Sequence, residues 1–197
     1  MQTDIINNYY YGIIKNNNYI YIVSILKIAK LGHPILLKKA SEIREFPSKS
    51  LRKTIYDMSE TMIDYNGIGL AAPQVHLSMR IIIFRNPDIA EKEKIQITPL
   101  INPSFKPIGD EKDDDWEGCL SIPRMQGLVS RYKKISYFGY DLEGNKIENI
   151  AEGLHARVIQ HEIDHLDGIL YTSRLTDKKA FGFEKEIVEF WKNEKKR

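Results

Sequence analysis

The segment His161–His165, with the sequence HEIDH, constrains this chain more than any other. It lies in a run, 153–166, whose apolar spacing predicts a helix that ends before Gly168. Positions four apart lie on the same face of a helix, so both imidazoles can reach one metal ion. Glu162 follows the first imidazole and can take a proton from a water molecule on that ion. The pattern is typical of a hydrolytic metal centre.

Two histidines leave such a centre one protein ligand short, because catalytic sites usually have three ligands and one open position. The protease motif with three histidines would place the last one at position 171, which is Tyr171. A glutamate ligand could come from Glu184 or Glu186, in a lysine-rich segment. The other candidate is Cys119, since a thiolate with two imidazoles suits zinc or iron(II). The residues alone leave both solutions open.

A second segment, Gly67–Gln74 with the sequence GIGLAAPQ, is rich in small residues. Its glycine spacing resembles a dinucleotide-binding loop, but such a loop needs a strand before it and a helix after it. Here the patterns predict a helix at 48–66 and a strand at 79–85. The segment is therefore either a helix stop with a turn, or a stretch that lets the backbone approach a substrate. In the second case the Gln74 amide is a donor.

Composition excludes several classes of protein. The 29 Lys and Arg residues against 27 Asp and Glu give a formal net charge of +2, without the strong basic excess of a dedicated nucleic-acid binder. The single cysteine cannot form an internal disulfide, so we expect a reducing compartment. We find no apolar run long enough for a membrane span, and no secretory or mitochondrial leader pattern. We therefore expect a cytoplasmic protein without a membrane partner.

The remaining patterns divide the chain into regions. Residues 1–22 are rich in Asn and Tyr and are expected to form a poorly ordered N-terminal extension. Ordered structure is expected from Ser24 onwards. Besides the elements above, we predict strands at 100–106, 128–140 and 146–150, a hairpin connection at 141–145, a solvated acidic loop at 110–115, and a helix at 178–195.

Together, three segments resemble the signature motifs of the peptide deformylase family, in the family's order. They are GIGLAAPQ at Gly67–Gln74, EGCLS at Glu117–Ser121 and QHEIDH at Gln160–His165. The resemblance covers about residues 24–177, the predicted catalytic domain, and leaves 178–197 as a C-terminal helix with a basic tail. It implies an α+β fold, with mixed or antiparallel sheets around a central helix that carries HEIDH. It also implies removal of the formyl group from the N-terminal formyl-methionine of new polypeptides.

The resemblance further implies a metal site with Cys119, His161 and His165 as ligands. One divalent ion per chain is expected, with iron(II) as the working metal and zinc, nickel or cobalt able to replace it. Glu162 is then the general acid and base. The Gln74 side chain and the Leu120 backbone amide bind the formyl oxygen.

The substrate-binding residues implied by the resemblance are Ile68, Gly69, Gly118, Leu154 and Val158. The backbone of Ile68 and Gly118 would pair with the peptide as an added strand. The methionine side chain would enter a pocket that involves Ile68, Leu154 and Val158. Glu117 is expected to pair with Arg131.

Two other functions compete with this assignment. A zinc-dependent peptidase using the same helix would have a glutamate or histidine as third ligand and a dispensable Cys119. A non-catalytic protein with a structural metal would need a fourth protein ligand. For the deformylase we expect formylated nascent peptides as partners, a ribosome contact through the basic C-terminal helix, and a monomer. Formylated initiation indicates the bacterial cytoplasm or a bacterially derived organelle.

Overall fold

The computed structural model describes residues 9–10, 13–16, 19–22, 24–46, 48–85 and 97–192. Near its N-terminus, strands β1 (Tyr9–Tyr10), β2 (Ile13–Asn16) and β3 (Tyr19–Ile22) form a small antiparallel sheet in the order β1-β2-β3. The described positions of residues 1–22 form paired strands, and the expectation of a poorly ordered extension there stays a prediction. The other residues of that extension lie outside the described part of the chain.

Helix α1 (Lys49–Asp64) begins where its sequence provides a cap. The Ser48 hydroxyl accepts a hydrogen bond from the Leu51 amide at 3.1 Å, as expected for a serine at a helix start. The apolar face of α1 is buried, including Ile55 and Met58. The amide of Gly67 bonds to the Met62 carbonyl just after the helix, so the predicted stop is confirmed.

The larger of the two core sheets is antiparallel and has five strands, in the order β10-β9-β6-β5-β4. Its strands are β4 (Gly69–Ala71), β5 (Ile81–Arg85), β6 (Ile97–Pro107), β9 (Lys134–Tyr140) and β10 (Lys146–Glu152). The strand predicted at 100–106 extends further in both directions. Its Pro103 is accommodated because the pairing with β9 shifts register between Ile101 and Ser104.

A second, three-stranded antiparallel sheet has the order β11-β8-β7. It consists of β7 (Lys112–Cys119), β8 (Ile122–Tyr132) and β11 (Phe181–Phe183). The prediction of an acidic loop at 110–115 is wrong from Lys112 onwards, because these residues pair with β8 while their side chains stay exposed. The predicted strand at 128–140 is two strands, since β8 ends at Tyr132 and β9 starts at Lys134.

Helix α2 (Gly153–Leu166) has the predicted bounds and contacts strands of both sheets. Every residue from His155 to Leu166 is buried. A helix that is buried on all sides must lie in the core, so its polar side chains need partners inside the protein. The fold is α+β, as the sequence predicted.

The C-terminal segment differs from the predicted helix at 178–195. Residues 181–183 form β11 on the edge of β8, and helical structure begins only with α3 (Glu184–Glu186), which continues as a π-helical turn, Ile187–Lys192. Strand pairing with a neighbour overrides local helix propensity at these positions. The predicted helix beyond residue 192 lies outside the described chain. None of the helices described here is long and apolar enough to cross a membrane.

Candidate metal centre

The structure brings Cys119, His161 and His165 together between the two sheets. Cys119 is the last residue of β7, and the two histidines come from successive turns of α2. Their ligand atoms all lie within 4.8 Å of one another, and the Cys119 sulfur is 3.2 Å from Nε2 of His165. This spacing fits three atoms around a single metal ion.

The electrostatics of these side chains favour a metal-binding thiolate. Burial works to raise the pKa of the Cys119 thiol, but the imidazoles of His165 and His161 hold it well below its ordinary value. A thiolate with two imidazoles is a donor set for zinc or iron(II). Within the described residues the group has three members, so a four-coordinate ion would keep one position for water.

Glu117 orients the first of the two imidazoles. Its Oε2 lies 2.8 Å from Nδ1 of His161, which leaves Nε2 of that ring to face the centre. Burial opposes ionisation of Glu117, yet hydrogen bonds from Arg131 and His161 hold its pKa well below the usual range. The carboxylate is therefore charged and fixes the ring.

The expected pairing of Glu117 with Arg131 is confirmed, and Arg157 is a second arginine that donates to the same carboxylate. Nε and Nη2 of Arg131 donate to the two carboxylate oxygens, both at 2.9 Å. Arg157 donates from Nη1 to Oε1 of Glu117, also at 2.9 Å, and from Nη2 to the Asp113 carbonyl at 2.7 Å. All three of these charged side chains are buried, so the network shapes the wall behind the metal site.

The network continues along α2 to Asp164, inside the HEIDH motif. Asp164 accepts a hydrogen bond from Arg131. Both of its carboxylate oxygens also accept hydrogen bonds from Arg174. The sequence did not predict the roles of Arg157, Asp164 and Arg174. Arg157 lies four positions before His161 and Asp164 three positions after it, so both share a helix face with this histidine. No pattern marks Arg174.

Glu162 points into the centre from α2. Burial is the main cause that raises its pKa to about 7, and the charges of His161 and His165 oppose that shift. Its Oε2 is buried and has no hydrogen-bond partner among the described residues. A Cβ placed on Gly69 would overlap the Glu162 carboxylate, so only glycine at this position allows the close approach.

Gln74 reaches the centre from a 3₁₀ turn, Ala72–Val75. Its Oε1 accepts a hydrogen bond from the Ala71 amide at 2.8 Å, which fixes the side-chain amide. Its Nε2 donates to the Cys119 sulfur and to the Ser121 hydroxyl, both at 3.3 Å. The donor end of Gln74 therefore faces the metal site.

Leu120 and Ser121 form the tight connection between β7 and β8. Cys119 pairs with Ile122, so only two residues make the turn. The Ser121 amide lies 3.4 Å from the Cys119 sulfur and donates to it. The Leu120 backbone amide, which the resemblance implies as a donor to the formyl oxygen, thus follows a metal ligand directly in the chain.

A cavity of about 550 Å³ opens next to these residues. Every predicted substrate-binding residue lines it: Ile68, Gly69, Gly118, Leu154 and Val158. Ile68 and Leu154 are apolar yet 49% and 53% exposed, while Val158 is buried. Such exposed apolar side chains at a concave surface suit an apolar ligand group.

The structure also locates the glutamates considered as alternative ligands. Glu184 lies at the cavity rim, where it accepts a hydrogen bond from Gln126 at 3.2 Å, and Glu186 is exposed on α3. Neither belongs to the group of ligand atoms found in the described chain. This arrangement disfavours the peptidase with a glutamate ligand, and a three-membered group disfavours a closed structural site.

Comparison with known proteins gives a consistent result. Residues 25–181 match the family model described as polypeptide deformylase. Peptide deformylase 1 of Nitrosomonas europaea is 44% identical over 159 residues, which is 79% of this chain and 90% of that protein. Peptide deformylase 1 of Bordetella pertussis is 46% identical over the same shares of the two chains.

Solved structures resemble the fold as well. A class I type b peptide deformylase from Acinetobacter baumannii superimposes with a TM-score of 0.71 at 36% identity, over 77% of this chain and 99% of the other. The peptide deformylase of Thermotoga maritima has a TM-score of 0.71 at 37% identity, over 78% and 99%.

Proposed function

Since the chain belongs to the peptide deformylase family, we propose that it removes the formyl group from N-terminal formyl-methionine with the help of one divalent metal ion. Membership makes it a hydrolase of protein biosynthesis that acts on formylated nascent peptides. The finer proposal concerns the metal, the acid and base, and the groups that bind the substrate.

One observation carries the metal-dependent mechanism: a thiolate and two imidazoles meet on the wall of the cavity, with a buried carboxylate beside them. Cys119, His161 and His165 would hold the ion. Iron(II) is the proposed working metal, and zinc, nickel or cobalt would fit the same donors. When bound, the ion supplies Lewis acidity and makes hydroxide available near neutral pH.

Glu162 is the proposed general acid and base. Its carboxylate follows the first histidine on α2 and lies in the buried centre, where it can take the proton of the attacking water. The same group then delivers that proton to the amine that leaves when the formyl carbon–nitrogen bond breaks. Gly69 permits this placement because it has no side chain.

Gln74 and the Leu120 amide are the proposed donors to the formyl oxygen as negative charge develops on it. The Gln74 amide is fixed by Ala71, so it needs no reorganisation during the reaction. Donors of this kind act mainly on the rate, because they bind the developing oxyanion more strongly than the neutral formyl group.

The cavity would hold the substrate peptide. Ile68 and Gly118 are proposed to pair with its backbone, and Gly69 to let it lie close to the centre. Ile68, Leu154 and Val158 would surround the methionine side chain, whose flexible thioether fills irregular apolar space well. Covering the exposed parts of Ile68 and Leu154 would contribute to binding.

We expect the enzyme to act as a monomer in the bacterial cytoplasm. Contact of the basic C-terminal segment with the ribosome stays a prediction, because residues 193–197 lie outside the described chain. The domain limits 24–177 and 178–197 likewise remain predictions.

The direct test is anaerobic purification with metal analysis and an assay on formyl-Met-Ala-Ser. The acetylated and unformylated peptides serve as controls. We expect about one metal ion per chain, release of formate from the formylated peptide alone, and loss of the metal in Cys119→Ala. Cleavage of internal peptide bonds without release of formate would support the peptidase instead.

A further inference from the structure

The two-residue turn Leu120–Ser121 is held from outside by a segment near the start of the ordered chain. The Lys30 ammonium donates to the Leu120 carbonyl at 2.8 Å. The next residue, Leu31, donates its backbone amide to the Ser121 carbonyl at 2.9 Å. Both carbonyl groups of the turn therefore accept hydrogen bonds from two consecutive residues, Lys30 and Leu31.

The same segment also holds the other proposed oxyanion donor. The amide of Ala29 donates to the backbone carbonyl of Gln74 at 2.7 Å. Residues 29–31 thus form a brace between the 3₁₀ turn that carries Gln74 and the turn that carries Leu120. Two of its three contacts use the backbone, and the Lys30 contact alone uses a side chain.

Lys30 lies next to the metal centre, on the lining of the cavity. It is an exposed residue, and its ammonium is 5.7 Å from the centre of the Tyr65 ring. The Leu120 side chain lies close to Gly67, since a Cβ built on Gly67 would be 3.1 Å from Leu120 Cδ1. The Leu120 carbonyl and the Ser121 amide belong to one peptide group, which Lys30 and the Cys119 sulfur hold at its two ends. This peptide group adjoins, through the Leu120 Cα, the one that carries the Leu120 amide.

We propose that Lys30 is a positioning residue that keeps the Leu120 amide directed at the formyl oxygen. This role rests on the proposed function, in which that amide stabilises the developing oxyanion. A small rotation of a donor away from the reacting atom costs rate, because the donor must already be in place when charge develops. Lys30 itself touches neither the metal ligands nor the reacting atoms in this account.

Kinetics of Lys30→Met on formyl-Met-Ala-Ser test the role. Methionine keeps most of the stem and removes the donor. A lost hydrogen bond at an exposed position should lower kcat about 3- to 10-fold and leave KM within about twofold. Lys30→Arg should restore most of the rate, since it also donates. Lys39→Met is the control, because Lys39 is an exposed lysine outside the brace of residues 29–31, and it should behave as the unaltered enzyme.

Amide hydrogen exchange gives a second readout that needs no turnover. The Ser121 amide shares its peptide group with the Leu120 carbonyl and donates to the Cys119 sulfur. It should exchange faster in Lys30→Met than in the unaltered enzyme and in Lys39→Met. Unchanged kcat, a change confined to KM, or a lower kcat with unchanged exchange at the turn would each overturn the positioning role. If the unaltered enzyme releases no formate, the proposed function itself fails and this role fails with it.

Discussion

The two sides of the metal centre are held in different ways. On the helix wall, defined as α2 with Glu117 and Arg131, charged side chains at least nine-tenths buried bond to one another. On the turn wall, defined as Gln74 with Leu120–Ser121, neutral backbone and amide groups make most of the contacts. Within the described part of the chain, its charged donor is the exposed Lys30.

Because of this difference, we expect changes in the two walls to have different effects, on stability in one case and on the rate of the reaction in the other. A buried charge that loses its partner cannot turn to water, so a change in the helix wall should weaken folding and metal binding. The donors of the turn wall matter most when charge develops on the substrate, so a change there should act mainly on kcat. Glu162 is the exception on the helix side, because its function lies in the reaction.

The largest effect on rate is expected for Glu162→Ala. Loss of the proton carrier should lower kcat about 100- to 10,000-fold, while the metal stays bound because the three ligands remain. Its Oε2 has no hydrogen-bond partner among the residues described, so the free energy of unfolding should not fall. Steady-state kinetics, metal analysis and urea unfolding check this. Turnover within tenfold of the unaltered enzyme would remove Glu162 from the mechanism.

On the turn wall, Gln74→Ala removes a proposed oxyanion donor. We expect kcat to fall about 100- to 1000-fold, with KM and metal content close to those of the unaltered enzyme. The measurement is kcat and KM on formyl-Met-Ala-Ser beside metal analysis. Loss of the metal in this variant would show that Gln74 supports the Cys119 sulfur rather than the substrate.

Glu117→Gln tests the buried network of the helix wall. Arg157 would lose its carboxylate partner inside the protein, and Arg131 would keep only Asp164. We expect the free energy of unfolding to fall by about 3–5 kcal/mol. The affinity for metal should weaken about 10- to 100-fold, because the His161 ring loses the charged acceptor that orients it. Glu111→Gln is the control: Glu111 pairs with Lys133 at an exposed position, and its loss should cost less than about 1 kcal/mol. Equal losses in the two variants would contradict the comparison.

Gly69→Ala tests the placement of Glu162 on the helix wall. Gly69 lies in β4, and a Cβ there would overlap the Glu162 carboxylate. Displacement of the carboxylate should lower kcat about 10- to 100-fold. Gly182→Ala is the matched control, because the nearest atom to its added Cβ is 3.7 Å away. Equal kcat in the two variants would mean that the position of Glu162 is not critical.

The helix of the helix wall was predictable from the sequence, whereas the contacts that join the two walls around Cys119 were not. Helix α2 has its predicted bounds because apolar spacing, the HEIDH motif and Gly168 all act locally. The position of Cys119 beside the histidines depends on how β7 folds back, so the residues alone left a glutamate open as the third ligand. The family resemblance, rather than spacing, resolved that choice.

Contacts between distant segments explain what the sequence missed. The brace at residues 29–31 has no motif, because backbone hydrogen bonds do not depend on residue type. Arg174 reaches Asp164 from a short 3₁₀ turn that no periodicity predicts. The helix predicted from residue 178 failed for a similar reason, since Phe181–Phe183 pairs with the edge of β8.

X-ray absorption spectroscopy of the zinc-loaded enzyme is the sharpest test of a metal site made by Cys119, His161 and His165. We expect one sulfur ligand at about 2.3 Å, two nitrogen ligands at about 2.0–2.1 Å and one oxygen from water. In Cys119→Ala the sulfur contribution should disappear. A metal without sulfur in the unaltered enzyme, or one enclosed by four protein ligands, would contradict the account.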